Sequence, residues 1–546
     1  MEKIFKPKLY SLLKAGIEKK QVFSDILAGI VVGIVALPLA IAFAVASGVS
    51  PEKGLITAII AGFIISLLGG SRVQIGGPTG AFIVIVYGIV EKYGIDGLII
   101  STILSGIILI IFGLLKLGSL LKYFPHPLVV GFTSGIALVI FSTQIRDALG
   151  LDIQKVPSGF IDKWELYYSH LSNINLYAAV ITLIAILITV YSSKLTNKVP
   201  GSFIAIVLIT FLSQIFNLPI TTIESFFGEI PNNFSFVMPS FNFNMLSVYI
   251  GPALTIAILC SIESLLSAVV SDGMIGGNHR SNTELIAQGI ANIITPFFGG
   301  IPATGAIART ATNVKNGGRT PLSGITHALT LLLIMLLFGK WAKLIPMSCL
   351  AGILIVVAYN MSEWRSFLSI LRGSFFDIII LLSTFLLTVL VDLTVAIEIG
   401  VVLSSLLFMK RMSDIGKSIP TDIDSDLIKN YTDIPEDISI YEISGPLFFA
   451  SAKQYAETLK SIGFESKVII IRMRHVPFID STGLHNLQEA IKLLNDFGIV
   501  IVFSGINESV FKDFSKSKIF KLIDKSQCFN SFESAVNHSK KIIEHK

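Results

Sequence analysis

Charged residues are scarce in this sequence: Asp, Glu, Lys and Arg together make up 14% of 546 residues, against 52% hydrophobic. A soluble chain of this length cannot cover its surface with so little charge, and a mean hydropathy of +0.75 identifies a membrane protein. Cysteine is nearly absent. Cys260, Cys349 and Cys528 have no metal or redox spacing and read as small packing residues. The basic excess is slight, and a net charge of +5 spread over membrane flanks argues against nucleic acid as a partner. No nucleophile–base set, metal spacing or phosphate loop appears, so an enzyme is not indicated and no cofactor is implied.

What the sequence has is apolar runs, about fourteen of them, from 25–47 to 395–409. Several fall short of the ~20 residues that a full span needs. A half-helix ending at mid-membrane is tolerated where it is buried in protein or lines a cavity. The reading is therefore a polytopic α-helical membrane protein of about 14 segments, some discontinuous. Lys3, Lys6, Lys8, Lys14, Lys19 and Lys20 precede the first run, and Lys410, Arg411 and Lys417 follow the last. The positive-inside rule then puts both termini in the cytoplasm. An odd number of crossings per half would invert the two halves. The Lys-rich start is not a cleaved signal peptide, because 25–47 is long and no cleavage site follows it.

Two apolar runs are broken in the same way. Gly76-Gly77-Pro78-Thr79-Gly80-Ala81 returns, with two single-residue insertions, as Gly299-Gly300-Ile301-Pro302-Ala303-Thr304-Gly305-Ala306. The offset is 305 − 80 = 225 residues, so the hydrophobic region reads as two equivalent halves. Paired breaks of this kind point to a transporter's binding site. Two half-helices starting near Pro78 and Thr304 would aim unpaired N–H groups and positive dipole ends at one point, where an anion needs little added charge. Gly80 and Gly305 would let a ligand approach the backbone, and Pro78 and Pro302 would start helices without wasting a donor. The competing reading is that these glycines only let helices pack closely.

Two charges lie within this region. Arg309 follows the second break by four residues, where a cation needs either an anion or a core carboxylate to balance it. Glu263 is the only ionisable group in 253–270, and a lone intramembrane carboxylate is a candidate proton carrier or a partner for Arg309. Asp25, Arg146, Asp272, Arg280, Glu284, Asp377 and Lys410 occupy the edges of apolar runs, where headgroups and water satisfy them. Asp392 and Glu398 stay open between these roles, and His126 and His327 read as packing or interface residues.

Beyond Asp414 the long apolar runs stop. The chain divides into 1–20, a cytoplasmic segment; 21–413, a transport domain; 414–437, a polar linker; and 438–546, a small domain of alternating strands and helices. Strands are expected over 438–449, 467–473 and 499–503, with a helix carrying Leu484, Leu487, Ile491 and Leu494. In the turn before that helix, Asp480 or Ser481 is the expected cap. A phosphosite at the same helix N-terminus is the functional alternative.

The turn Asp480-Ser481-Thr482-Gly483-Leu484 after a buried strand resembles the STAS fold of sulfate transporters and anti-sigma factor antagonists. That resemblance implies a regulatory phosphosite at Thr482 or the adjacent Ser481. The membrane region resembles the sulfate permease family through Ala36-Leu37-Pro38-Leu39-Ala40-Ile41-Ala42-Phe43-Ala44, residues 76–80, 278–288 and 299–309. The resemblance implies two seven-segment inverted repeats, forming a core domain (segments one to four and eight to eleven) and a gate domain. It also implies an elevator movement, a homodimer and a bacterial inner-membrane location. It assigns Phe43, Thr79 and Ala308, with Arg309 beside it, to the lining of the anion site, alongside the backbone of Gly80, Ala81 and Gly305.

Glu263 matches the Glu of a proton-coupled dicarboxylate branch, where sodium-coupled bicarbonate relatives carry Asp. Residues 445–452 and 358–364 look like the same branch, although both segments are expected to lie away from the site. The expectation is proton-coupled import of C4-dicarboxylates such as succinate and fumarate. Sulfate or bicarbonate transport, an uncoupled anion channel and a membrane-anchored STAS regulator are the alternatives. Protons rather than sodium, membrane lipid and a cytoplasmic protein bound to the STAS domain are the further partners implied.

Overall fold

The computed structural model describes residues 5–119, 125–153, 156–157, 159–195, 200–228, 236, 246–391, 393–415, 434–463 and 466–544. The expected linker and Asp392 therefore lie largely or wholly outside the described residues. The chain divides into two compact units, Met1–Val401 and Val402–Lys546.

The first unit opens with α1 (Lys8–Ala15), α2 (Lys19–Ala46), α3 (Pro51–Leu68) and the two-residue strand β1 (Gly76–Gly77). Next come α4 (Ile83–Leu114), α5 (His126–Leu149), α6 (Phe160–Ser169), α7 (Leu176–Leu195), α8 (Gly201–Ile215) and the short α9 (Ile223–Phe227). The order then repeats: α10 (Leu246–Ile275), α11 (Ser281–Ile294), β2 (Thr304–Gly305), α12 (Ile307–Lys315), α13 (Leu322–Ala342), α14 (Met347–Met361), α15 (Trp364–Ile370), α16 (Phe375–Leu390) and α17 (Leu393–Ile415), within which the boundary between the units falls. Six of the described helices are long and apolar enough to cross a membrane, and four shorter apolar helices accompany them. Gly94, at φ 70° and ψ −172°, divides α4 into two segments. The first half then has seven segments (α2, α3, two in α4, α5, α7, α8), and the second has seven (α10 to α14, α16, α17).

The packing shows that these halves are equivalent. Each prominent helix pair has a counterpart in which the halves are exchanged: α4 on α10 and α11 against α13 on α2 and α3, and α5 on α16 against α14 on α7. The two short strands pair antiparallel, Gly76 with Gly305 and Gly77 with Thr304, so the broken segments run in opposite directions. Contacts are extensive within α2–α4 with α10–α13 and within α5, α7, α8, α14 and α16, and few between the two groups. These groups are the core and gate.

Small residues make the pairings possible, because a membrane interior offers no hydrophobic gain from helix association and backbones must approach closely. A Cβ on Gly106 would lie 2.6 Å from the Gly289 carbonyl, and one on Gly289 would lie 2.5 Å from the Gly106 carbonyl. Gly131 meets the Leu381 carbonyl in the same way at 2.6 Å, and Gly352 the Thr182 carbonyl at 2.8 Å.

Two charges expected at solvated edges are instead in the interior. Asp25 and Glu284 are both 0% exposed. Asp25 accepts from the Arg319 and Thr320 N–H groups at 2.7 and 3.1 Å and from the Thr320 hydroxyl at 2.6 Å. Glu284 accepts from Gly70 N–H and Ser71 N–H at 2.8 and 3.1 Å and from Gln288 at 2.9 Å. Loop backbone next to each broken segment supplies the hydrogen bonds that headgroups were expected to give. Arg280 is likewise held by protein, donating to the Lys6 carbonyl and the Ser11 hydroxyl.

In the second unit β3 (Ile438–Ser444), β4 (Val468–His475), β5 (Val500–Ser504) and β6 (Cys528–Phe529) form a parallel sheet in that order. The helices α18 (Ala452–Gly463), α19 (Ser481–Asp496), α20 (Glu508–Lys516) and α21 (Phe532–Glu544) connect and follow these strands. Val468 to Met473 are all buried, as a strand covered on both faces requires. The expected strand from 438 ends early, at Ser444, because Gly445 turns the chain at φ 96°.

Gly106→Val and Gly289→Val are each expected to destabilise the protein by ~1–3 kcal/mol, since a backbone carbonyl cannot yield as a side chain can. Thermal unfolding of the detergent-solubilised chain checks this, with Gly273→Ala, which meets nothing within 4 Å, as the neutral comparison.

Candidate functional site

The site is built where the two breaks meet. Irregular backbone at membrane depth must find its hydrogen bonds inside the protein, and here side chains from the surrounding helices supply them. Ile301 N–H donates to Thr57 at 2.7 Å, Ala303 N–H to Asn292 at 2.9 Å and Gly305 N–H to Ser264 at 3.0 Å. Across the pairing, Ile75 N–H donates to Thr310 at 3.0 Å, and Ala306 N–H returns to the Ile75 carbonyl at 2.9 Å. Cys260, expected as filler, belongs to this scaffold: its thiol lies 3.3 Å from the Ala303 carbonyl.

Both helices start later than their prolines suggest. Thr79 precedes a short 3₁₀ turn, Gly80–Phe82, that leads into α4, and Ala306 precedes α12. Neither Pro78 nor Pro302 is a first helical residue, because residues 76–77 and 304–305 are used by the strand pairing. The N–H groups of Gly80 and Ala81 on one side, and of Ala308 and Arg309 on the other, have no hydrogen-bond partner among the described residues. This is the arrangement that favours an anion.

Arg309 is 2% exposed and forms no ion pair among the described residues. Its Nη2 donates to the Pro78 carbonyl, and its Nη1 has no partner. The salt bridge to a core carboxylate, one of the two sequence readings, is thus not formed; the guanidinium instead ties the second break to the first. Gly77, at φ 148°, leaves room for it, since a Cβ there would lie 2.6 Å from Nη1. Two further buried groups stand beside the pairing. Gln74, whose amide has no partner, lies against Gly305, and His327, whose ring nitrogens have no partner, lies against Gly62, which also faces the Gly76 carbonyl.

The remaining predicted residues converge on the same place. Glu263, on α10, is half-buried and stands beside Thr79. Ala308 is exposed, whereas Phe43, Gly80, Ala81 and Gly305 are buried. A Cβ on Gly80 would meet Phe43 at 3.5 Å and the Met361 sulfur at 2.9 Å.

Met361 was missed. The segment 358–364 was expected to lie away from the site, yet the last residue of α14 packs on the start of the first half-helix. Its position is fixed by tertiary contacts: Ser134 on α5 donates to the Ser362 carbonyl, and Glu363 takes a left-handed conformation (φ 42°, ψ 34°) that ends α14 there. No local sequence signal marks such a contact between gate and core.

In the second unit Asp480, not Ser481, caps α19. It accepts from Gly483 N–H at 2.6 Å and from Phe449 N–H at 3.0 Å, so it also pins the preceding loop. Ser481 and Thr482 are exposed at the first positions of that helix. This geometry leaves both hydroxyls accessible.

Gly77→Ala is expected to abolish solute uptake by displacing Arg309, while Gly273→Ala leaves uptake unchanged. Uptake into proteoliposomes at matched protein incorporation checks this.

Comparison with known proteins matches this geometry to a family. The profile of the Sulfate permease family covers 22–384, and that of the STAS domain covers 431–535. A Bacillus subtilis protein named "Putative sulfate transporter YvdB" is 41% identical over 94% of this chain and 97% of its own. The bicarbonate transporter BicA of Picosynechococcus sp. is 31% identical over 96% of this chain and 95% of its own. The murine anion transporter Slc26a9 has the same fold, with a TM-score of 0.87 at 19% identity over 98% of this chain and 94% of that one. The chain belongs to the sulfate permease family of anion transporters, with a C-terminal STAS domain.

Proposed function

We propose that the chain is a secondary active transporter of a small inorganic oxyanion, bicarbonate or sulfate. The anion binds between the N-termini of the two half-helices and is carried by the core past the gate. One observation supports this reading above the rest: two sets of free helix N–H groups and a buried, unpaired Arg309 stand at one point. A guanidinium without a carboxylate partner favours an anionic ligand that completes its charge.

Glu263 is the coupling group in this proposal. A carboxylate beside Thr79 stands at the first half-helix, so a cation on Glu263 lowers the repulsion that an incoming anion meets. A proton is the coupling ion of this proposal on the resemblance of Glu263 to the Glu of proton-coupled relatives, where sodium-coupled ones carry Asp.

The C4-dicarboxylate reading rests on segments that resemble one branch of the family. The names carried by the relatives are those of sulfate and bicarbonate transporters, and Phe43 and Met361 close on Gly80, which favours the smaller anion. The rest of the proposal is a homodimer in a bacterial inner membrane with both termini cytoplasmic. Its STAS domain offers Ser481 and Thr482 for modification and a surface for a cytoplasmic protein.

Uptake of labelled bicarbonate, sulfate and fumarate into proteoliposomes, with and without an inward proton gradient, tests this. Gradient-driven uptake of an inorganic anion, lost in Glu263→Gln and Arg309→Ala, is expected. Uptake of fumarate alone would return the assignment to dicarboxylates, and uptake that neither saturates nor responds to the gradient would identify a channel.

A further inference from the structure

The helix α6 is amphipathic in an unusual sense. Of its ten residues only Lys163 and Tyr167 are buried, while Ile161 and Tyr168 are 67% and 80% exposed. A lysine on a helix between two spans ordinarily carries its ammonium to water, whereas Lys163 is 2% exposed and lines a cavity of about 340 Å³. That cavity lies between core and gate, bounded by Ala46 at the end of α2, Tyr87 and Glu91 on α4, and Gln144 and Arg146 on α5.

The cavity is lined by two cations and two carboxylates, but neither carboxylate is paired with Lys163. Arg146 is matched by its neighbour Asp147, with two hydrogen bonds at 2.8 and 3.0 Å. Glu91 is exposed and forms no ion pair with Lys163, although its charge is felt there. The Tyr87 hydroxyl is committed to the Val156 carbonyl at 2.5 Å. The Lys163 ammonium makes no hydrogen bond among the described residues, although its backbone N–H donates to the Gly159 carbonyl. A buried ammonium with three donors and no acceptor requires a counter-ion or water. Burial pushes the Lys163 ammonium down to about 8, with Glu91 opposing the shift. It is therefore mostly charged at pH 7 and mostly neutral above pH 9.

We propose that this cavity is a second anion site, in which Lys163 holds a small inorganic anion between core and gate. Tyr87 is seven residues beyond Gly80 in the chain, so the cavity stands about 10 Å along the helix from the paired breaks at 1.5 Å per residue. It is a separate stop for an anion. The inference does not depend on which anion the half-helix site carries.

The test places a reporter in the cavity. Phe226 lines it and stacks on Arg146 at 4.7 Å, and tryptophan preserves that contact. In the full-length Phe226→Trp protein, the fluorescence that Phe226→Trp adds over the parent is titrated with iodide at pH 7 and pH 9.5. Saturable quenching at pH 7 is expected, weakened at least three-fold by Lys163→Gln and retained in Lys163→Arg. It is also expected to weaken between pH 7 and pH 9.5 with Lys163 present but not in Lys163→Arg. That comparison isolates the lysine from the other titratable groups facing it, Glu91, Arg146, Asp147, Tyr87 and Tyr167, which both proteins share. Equal quenching with Lys163→Gln, or a flat pH profile with the native lysine, would overturn the proposal; the pH profile decides even where Lys163→Gln does not fold.

Discussion

Everything in the membrane unit depends on one constraint: a helix broken at membrane depth must have its freed backbone groups satisfied by protein. Neither break can meet that requirement alone. Residues 76–77 use 304–305 as their ladder partner, Ile75 uses Thr310, and the Pro78 carbonyl uses Arg309. Each break is thus a structural element of the other. The groups left over, the first N–H groups of each half-helix and one nitrogen of Arg309, are those that a bound anion can use.

The same constraint explains the buried carboxylates. Asp25 and Glu284 do not face the candidate site; each gathers N–H groups from a loop beside a broken segment. A polar group left unpaired in hydrocarbon costs several kcal/mol, roughly, so a carboxyl group that accepts two or three hydrogen bonds is a stable solution. Glu263 differs because it is half-buried and lies beside Thr79 rather than against loop backbone.

The division into core and gate follows from where small residues permit close contact. The glycines at 106, 289, 131 and 352 bring helices of one group together backbone to backbone. Between the groups the contacts are fewer, and they include Met361 on Gly80 and Tyr87 on Val156. A small number of side-chain contacts across a long interface is compatible with sliding, whereas interlocked backbones are not.

Much of this was legible in the sequence. The repeated Gly-Pro-Thr-Gly breaks, their 225-residue offset (305 − 80) and the apolar runs determined a duplicated helical membrane fold, because helix-breaking residues and span lengths are local properties. The STAS turn was equally local, and Asp480 took the cap. Which groups pair across the two halves was not legible. Arg309 reaching Pro78 rather than a carboxylate, Asp25 in the interior, Met361 against Gly80 and Lys163 facing a cavity are contacts between residues tens to hundreds of positions apart. Such contacts are set by how the halves close on each other, so only the tertiary structure decided them.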